Sequence, residues 1–474
     1  MENRTSSQNT LAKFVKSSGI FLIGTVSSKV IVFFMLPVYT KFIKPADYGY
    51  YDLSTTYIAL LSGILFFDVW SSMMRFMYDR RKLDGKYRAV CSAWVIFGGS
   101  AIVYAIVGII VASTLGVRYV GWIFLYGLSN NISSMYDFTS RGLGKNRQFA
   151  ISGVLCTLTN VFTNLILLVL WHWDFSSLYI AFILGNLVQA AYLEANVHLL
   201  KHARWKILDF SLIKTMLRYT MPLCINSVSY WLLYSFDRLV INHMMGTAAN
   251  GYFAIGDKFG AMIALVTTCF TYAWQEMSFA HAANKGNDGA FFAKACNTYM
   301  KFLGAGAAIL ISACYIIFPL MVNKSYEAAK VTIPLFLLVG LISALSTFIG
   351  NVFYAIKDTK TVFTSMVASC LLNLALCFPL IHAFGLNGAN VSIFLSFLLN
   401  IIIRNFILRK KIGFRLNLRI VLLLLVWIGL SSVIYAKGNL WINMAWFVFS
   451  LVYACFIFRD MIKALMMGLK KKGI

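Results

Sequence analysis

Long apolar runs, separated by short polar connections, extend along almost the whole chain. A helix that crosses a bilayer needs about 20 predominantly apolar residues, and about fourteen runs in this sequence reach that length. The pattern therefore predicts an all-α polytopic membrane protein. The predicted spans are 17–39, 48–70, 88–114, 117–137, 149–171, 177–200, 221–244, 251–280, 299–322, 331–355, 361–384, 387–408, 416–435 and 440–458.

Two parts of the chain repeat each other. The segment LPVYTKFIKPADYGYY at Leu36–Tyr51 resembles LVINHMMGTAANGYF at Leu239–Phe253 with one gap. The similarity continues from VWSSMMRF around Trp70 to AWQEMSFA around Trp274, at an offset of about 200 to 213 residues or six helices. Since an even number of helices preserves orientation, the repeat predicts two parallel six-helix bundles with a central cavity between them.

The repeat also predicts how the chain is divided. We expect a basic tail at 1–16, an N-lobe of six helices at 17–206 and a C-lobe of six helices at 207–412. The remaining segment, 413–474, adds a C-terminal helix pair and a second basic tail. Every connection is too short to fold as a domain, so any function belongs to the membrane-spanning body.

Charge is concentrated in alternate connections. Sixty per cent of the residues are apolar, 12% are charged, and the net charge is +25. RGLGKNR, KHARWK and RKKIGFR are strongly basic, whereas HMMGTAANG and HAFGLNG are nearly free of Lys and Arg. A soluble protein with this charge would suggest nucleic acid, but here the positive-inside rule explains it. We therefore expect both termini on the cytoplasmic side and no nucleic-acid partner.

Sequence motifs for catalysis are missing from the chain. The basic first residues, MENRTSSQNTLAKFVKSS, do not have the pattern of a removable signal peptide. The nine cysteines stand singly in apolar stretches, which is typical of buried thiols rather than of disulfides or metal sites. Neither a nucleotide-binding fingerprint nor HExxH occurs. We expect no catalytic residues, no metal and no cofactor.

Two charge doublets lie inside apolar helices. They are Asp237-Arg238, in YWLLYSFDRLVINHM, and Asp257-Lys258, in GYFAIGDKFGAMIAL. A turn near 247–248 separates them, so an antiparallel hairpin would place all four charges at one depth, roughly 10 Å below the membrane surface. A charge inside a bilayer costs on the order of 3 kcal/mol and normally faces a partner or a water-filled pathway. The doublets therefore predict a transporter with a charged cavity.

Polar side chains continue this pattern along the same helices. Asn226, Tyr230, Tyr234 and Asp237 follow one another at steps of three and four residues, which puts them on one helix face. On the next helix, Gln275 aligns with the face that carries Asp257. We interpret Asn226, Tyr230, Tyr234 and Gln275 as residues that line the cavity.

Three basic residues are the candidates for binding a substrate. Lys29 lies near the middle of the first span, and with Arg238 and Lys258 it would form a cationic cavity for a phosphate-bearing headgroup. Asp237 and Asp257 are candidates for ion coupling. The alternative is that both acids and their neighbours Arg238 and Lys258 form a closed ion network that only locks the hairpin.

Other acidic residues lie nearer the helix ends. Asp52 and Glu276 fall about one turn inside their helices and are expected to rim the cavity. Glu194, near Lys201, is more typical of a solvated charge at a helix end.

An ordered set of segments resembles the Wzx-type polysaccharide flippases of the MOP exporter superfamily. The segments are LPVYTKFIKPADYGYYDL, RYTMPL, SFDRLVINHMMGTAANGYFAIGDKF, AWQEMSFA, KDTKT and GLNGANVS, and they extend over nearly the whole chain. The resemblance implies two six-helix lobes around a cavity and alternating access. It implies a polyprenyl-diphosphate-linked oligosaccharide as substrate, moved between leaflets of the bacterial cytoplasmic (inner) membrane for O-antigen, capsule or other surface polysaccharide.

The same resemblance implies further partners. The basic cavity would hold the diphosphate while the lipid tail stays among membrane lipids, and polysaccharide polymerase machinery would be the downstream partner. Fourteen helices are similar to the lipid II flippase branch, whose extra C-terminal helices border a groove for the lipid tail. Carried over to this chain, the groove would lie at 416–458.

Two other functions compete with the flippase. A multidrug or cation antiporter of the same superfamily would need a net-negative cavity, whereas the predicted cavity has three basic groups and two acidic ones. A membrane glycosyl polymerase or ligase would be expected to carry a large outward loop with paired catalytic residues, and the outward connections here are short.

Overall fold

Helices form nearly all of the described part of the chain. The computed structural model describes residues 30–80, 82–202, 208–285 and 288–459, and these ranges contain no β-strand. Within them, nine helices are long and apolar enough to cross a membrane, or ten if one bent pair counts as a single span. The predicted all-α polytopic fold is confirmed, whereas the count of fourteen spans stays a prediction.

Two compact units divide the described chain, which passes from the first to the second between Asn242 and His243. The predicted lobe boundary at 206–207 stays a prediction. The first unit contains α1 (Leu36–Phe42), α2 (Pro45–Leu65), α3 (Val69–Tyr78), α4 (Leu83–Thr114), α5 (Val120–Gly142), α6 (Asn146–Asn164, continued by a π-helical turn at Leu165–Leu170), α7 (Ser177–Val197), a short helical turn (Leu199–His202), α8 (Phe210–Tyr234) and most of α9 (Phe236–Met245).

The second unit begins with the last residues of α9 and then contains five longer helices, a 3₁₀ segment and the C-terminal pair. These are α10 (Thr247–Lys285), α11 (Gly289–Met321), a 3₁₀ segment (Lys324–Thr332), α12 (Ile333–Ala355), α13 (Thr359–Phe384), α14 (Leu386–Ile412), α15 (Leu418–Lys437) and α16 (Leu440–Ile457).

A bond between an Asn and a Ser joins the corresponding pair of helices in each unit. In the first unit, Asn186 Nδ2 of α7 donates to Ser129 Oγ of α5 at 3.2 Å. In the second, Ser346 Oγ of α12 donates to Asn400 Oδ1 of α14 at 2.8 Å. Buried polar groups in a membrane bundle need partners inside the protein. Corresponding helices of the two units provide such partners, although the Asn donates in the first unit and accepts in the second.

Side-chain caps begin several of the helices. An Asp or Asn oxygen accepts a bond from a free backbone N–H of the first turn. Asp358 also accepts from Lys411 Nζ at 2.6 Å. Burial opposes ionisation of Asp358, but the bonds from Lys411 and Thr361 outweigh it and hold the pKa of this carboxyl below its usual value. The capping residues are Asp209, Asp288, Asp358, Asn417 and Asn439.

The seventh predicted span differs from the expectation. The run 221–244 is part of a longer segment that starts at Phe210 and breaks at Ser235, where α8 ends and α9 begins. The turn expected at 247–248 is centred one residue earlier, at Gly246. Gly246 has φ +85°, a conformation that glycine adopts without the penalty that a Cβ brings.

The second predicted span is also broken. The run 48–70 is divided into α2 and α3, whose axes differ by 48°. Phe67 and Asp68 at the bend both adopt left-handed conformations, with φ +53° and +51°. Ser71 Oγ donates to Asp68 Oδ1 at 2.8 Å and so supports the start of α3.

The C-terminal helix pair is fastened to α11 and its neighbours. Tyr435 OH of α15 donates to Lys330 O at 2.9 Å, and Asn417 N donates to Asn297 Oδ1 of α11 at 3.0 Å. Between these bonds, a Cβ added to Gly304 would lie 2.1 Å from Leu424 Cδ2, so α11 and α15 approach closely. The pair therefore packs as part of the second unit.

Candidate functional site

The break between α8 and α9 places an acidic residue at a helix start. α8 ends when Ser235 leaves the helical conformation, and its N–H still donates to Trp231 O at 2.8 Å. Asp237 then lies in the first turn of α9 and is 1% exposed. An acidic group in the first turn of a helix is stabilised by the helix dipole, so the break itself creates a favourable place for this buried carboxylate.

Arg238 forms an ion pair with a residue far away in the sequence. Its Nε donates to Asp52 Oδ2 of α2 at 2.7 Å, and the two side chains are only 13% and 16% exposed. Arg238 Nη1 also donates to Tyr234 O at 3.2 Å, across the helix break. Arg238, the residue predicted to bind a phosphate, is thus mostly buried and paired with a carboxylate oxygen. That oxygen belongs to Asp52, which was predicted as a rim residue.

Polar contacts fix α8 along α2 on the same side of the unit. Trp231 Nε1 donates to Thr56 O at 2.9 Å. Thr56 Oγ1 donates in turn to Asp52 O at 2.8 Å. Farther along, Cys224 Sγ donates to Gly63 O at 3.4 Å. These bonds hold α8 to α2 independently of the Asp52–Arg238 pair.

Two tyrosines of α8 form a parallel stack beside Arg238. The rings of Tyr230 and Tyr234 lie 6.4 Å apart with an angle of 2° between their planes. They are 43% and 39% exposed. The structure therefore keeps these two predicted cavity residues on one exposed face, one turn from Arg238.

A group of tyrosines that the sequence reasoning missed packs behind Asp52. We call Tyr39, Tyr48, Tyr51, Tyr126 and Tyr179 the tyrosine cluster. The ring of Tyr51 lies 5.0 Å from that of Tyr179 and 6.3 Å from that of Tyr126. Tyr126 is close enough to Asp52 for a direct electrostatic interaction. The signal in the sequence was the density of tyrosine in DYGYYD, directly before the acidic residue.

The second doublet lies where α10 packs most tightly on α12. A Cβ added to Gly256 would lie 2.2 Å from Thr332 Oγ1, and one added to Gly260 would lie 2.8 Å from Phe336 Cβ. Asp257 and Lys258 lie between these two glycines, and both are partly exposed. Close backbone packing therefore fixes the position of the doublet within the second unit.

The structure describes only some of the other predicted site residues. Gln275, on α10, is partly exposed and lies next to Trp274, whose Nε1 donates to Phe348 O at 3.0 Å. Lys29 lies outside the described residues, and the side chains of Asn226 and Glu276 lie outside the described side chains. The common depth of the two doublets and the closed four-charge network stay predictions.

Each unit also contains a charged residue within a helix that the sequence reasoning missed, and Asp137 is partly exposed whereas Arg404 is buried. In the first unit, Gln189 Nε2 donates to Asp137 Oδ1 at 2.7 Å. In the second, Arg404 is 4% exposed and donates to Ser346 O at 2.7 Å and to Ser365 Oγ at 3.0 Å. Both lie a few residues inside the ends of long helices, where they resemble ordinary end charges in the sequence.

One family model matches the chain, and several solved structures resemble it. The model described as polysaccharide biosynthesis protein matches residues 14–274. No curated protein sequence matches. The structure of the lipid II flippase MurJ, in an inward closed conformation, is 15% identical, covers 93% of this chain and 99% of its own, and has a TM-score of 0.71.

Two further structures carry the MOP superfamily name. An inward-facing multidrug resistance MATE family transporter is 13% identical, with 81% of this chain and 94% of that chain covered and a TM-score of 0.62. A MOP superfamily transporter from Pyrococcus furiosus is 13% identical, with 84% and 95% covered and a TM-score of 0.57. At these identities the likeness shows the fold alone, and that fold is shared with the flippase MurJ and with MATE transporters.

Proposed function

Because the chain belongs to the polysaccharide biosynthesis protein family and has the MOP transporter fold, we propose that it is a flippase for polyprenyl-diphosphate-linked oligosaccharides. It moves these lipids from the cytoplasmic to the outer leaflet of the bacterial inner membrane by alternating access. Both termini lie in the cytoplasm. The glycan then passes to polymerase machinery outside, and the protein itself carries out no covalent step.

The observation that carries this proposal is the state of Arg238. Its guanidinium is mostly buried in the membrane-spanning body and already holds an oxyanion. A guanidinium can bind two oxygens of a phosphate at once, and such charge-assisted bonds strengthen where water is scarce. We further propose Lys258 and Lys29, both predicted from the sequence, as point cations for the headgroup. This combination suits a diphosphate better than any neutral headgroup.

The exposed tyrosines support the glycan part of the proposal. Tyr230 and Tyr234 present two parallel rings with hydroxyl ends beside Arg238. Such side chains combine an apolar face with a hydrogen-bonding tip, and sugars have both kinds of surface. A headgroup whose diphosphate meets Arg238 would bring its first sugars against these rings.

The alternative is a multidrug or cation antiporter with the same fold. Such a transporter needs carboxylates that are open to a cationic drug. In the first unit, Asp52 is instead engaged with Arg238. The pairing therefore favours an anionic substrate over a cationic one.

A deletion strain tests the flippase against both competitors. Without the protein, glycan synthesis on the lipid should continue, so lipid-linked repeat units should accumulate on the cytoplasmic leaflet while surface polysaccharide is lost. Complementation with the intact gene should reverse both effects. Normal surface polysaccharide in a strain without a second flippase would refute the proposal, and accumulation of short glycans already outside would point to a polymerase.

A further inference from the structure

We propose that Asp52 is an internal competitor of the substrate, an anion that occupies Arg238 until the substrate diphosphate displaces it. The inference rests on the proposed function and goes beyond it, because it assigns a role to a carboxylate on another helix. It makes Asp52 a residue that tunes substrate affinity rather than one that touches the substrate.

The geometry of the pair permits an exchange of anions. Arg238 offers Nε to Asp52 Oδ2 at 2.7 Å and Nη1 to Tyr234 O at 3.2 Å. A guanidinium has five donors, so an incoming phosphate can take the Nε edge that the carboxylate now uses. Both side chains keep some exposure, 13% and 16%, so the pair is not sealed off.

The exchange also keeps the positive charge of Arg238 compensated. A buried cation that lost its anion outright would be strongly destabilised, whereas replacement of one oxyanion by another leaves Arg238 compensated throughout. The displaced carboxylate stays beside the tyrosine cluster, since Tyr51 is its neighbour in the chain and the ring of Tyr126 lies 6.3 Å from that of Tyr51. A neutral or cationic compound cannot take the place of Asp52 on Arg238, so the pair selects for anions.

The exchange has a mechanical consequence for the helices. The Asp52–Arg238 pair joins α2 to α9, whereas Trp231 and Thr56 join α2 to α8. Release of Asp52 removes this link between α2 and α9, whereas the Trp231–Thr56 bond still joins α2 to α8 on the other side of the break at Ser235. A substrate that binds the released state better shifts the protein toward it, which links headgroup binding to movement of α9.

Binding of a soluble lipid diphosphate to the purified full-length protein tests this inference. The probe is farnesyl diphosphate, with farnesol as the neutral control ligand, and affinity is measured by calorimetry in detergent. We expect Asp52→Asn to bind farnesyl diphosphate about ten-fold more tightly than the wild type, which corresponds to about 1.4 kcal/mol. Asp52→Asn combined with Arg238→Ala should lose this gain.

Control variants separate the inference from loss of fold. Asp47→Asn removes a carboxylate from the same helix, at a site paired with Arg118 at 3.7 Å, and should leave the affinity unchanged. Asp52→Glu keeps the competing anion and should stay within about three-fold of the wild type, a difference near 0.7 kcal/mol. Thermal unfolding and gel filtration establish that each variant is folded.

Two negative outcomes have different meanings. If folded wild type and Asp52→Asn bind the diphosphate equally well and Arg238→Ala abolishes binding, Asp52 is not a competitor and the proposed function stands. If neither protein binds farnesyl diphosphate more tightly than farnesol, the anion site of the proposed function fails, and this inference fails with it.

Discussion

Arg238 keeps its charge inside the membrane-spanning body because Asp52 balances it and Tyr234 accepts a second bond. Loss of one member of a mostly buried ion pair leaves the other uncompensated, and the cost can reach about 3–5 kcal/mol when burial is complete. The pair is therefore a sensitive point both for folding and for binding. Variants of Arg238 must be judged by export and by protein level together.

We expect Arg238→Ala to abolish export and Arg238→Lys to retain part of it. Lysine restores the charge but not the planar fork that binds two oxygens. The measurement is surface polysaccharide in the deletion strain, normalised to the amount of protein in the membrane. Arg118→Ala, at a 62% exposed arginine, is the matched control and should export normally. Full export by Arg238→Ala would show that this arginine does not bind the substrate.

The sequence identified Arg238 as a site residue but did not identify Asp52 as its ionic partner. A charged residue within a run of apolar residues can be recognised from the sequence alone, so Arg238 could be predicted as a site residue. Its partner lies 186 residues earlier in the chain, and only tertiary packing brings the two together. Sequence proximity suggested Asp237 and Asp257, and a network that includes them stays a prediction. The roles predicted for Lys29 and Lys258 remain predictions.

Among the elements, the break between α2 and α3 stores conformational strain. Phe67 and Asp68 both have positive φ, and a residue with a Cβ pays roughly 1–2 kcal/mol for that conformation. The bend of 48° lies within a single run of apolar residues. The surrounding packing must offset the strain, since Phe66 next to the bend is 0% exposed.

Substitutions at Asp68 should distinguish backbone strain from apolar burial. Asn tolerates positive φ well and keeps an acceptor for Ser71, so Asp68→Asn should leave stability unchanged. A β-branched residue tolerates positive φ poorly, so Asp68→Val should lower stability by about 2 kcal/mol although it is more apolar. Thermal unfolding in detergent measures the difference. A more stable Asp68→Val would mean that burial of the carboxyl, not strain, dominates at this position.

The sequence could not predict this break for a physical reason. Between Leu65 and Val69 the chain reads FFD, without Pro or Gly, and those are the residues that usually mark a kink. The break between α8 and α9 is equally hidden at Ser235. Hydropathy indicates the length of a membrane span. The position of a break depends on which neighbouring helices can form hydrogen bonds with the backbone groups that the break leaves without helical partners.

For the whole molecule, the two units explain why the fold could be predicted well. Apolar runs and an internal repeat are properties of the sequence itself, and in each unit an Asn–Ser bond joins the corresponding pair of helices. The polar content of α5, α8 and α10 fits helices that serve packing or transport rather than lipid contact. We propose that Asp237 and Asp257 couple this fold to an ion gradient.

Transport should depend on an energised membrane, because the chain has no nucleotide-binding motif. We expect export of lipid-linked glycan in vesicles to stop when ionophores collapse both the potential and the ion gradients. Asp237→Asn and Asp257→Asn should weaken the dependence on the gradient. If export continues in vesicles without any gradient, ion coupling is excluded. Vesicles that receive ATP but no gradient are the control for an indirect effect.

The Asn–Ser bond has a consequence for the history of the chain. Since an Asn and a Ser join the corresponding pair of helices in each unit, one ancestral gene for a single unit that paired with a second copy of itself would account for the repeat. After duplication and fusion, the copies were free to diverge, and the charged residues within their helices show that they did, with Asp137 in one half and Arg404 in the other. Two copies of either half alone would therefore no longer reproduce the modern transporter.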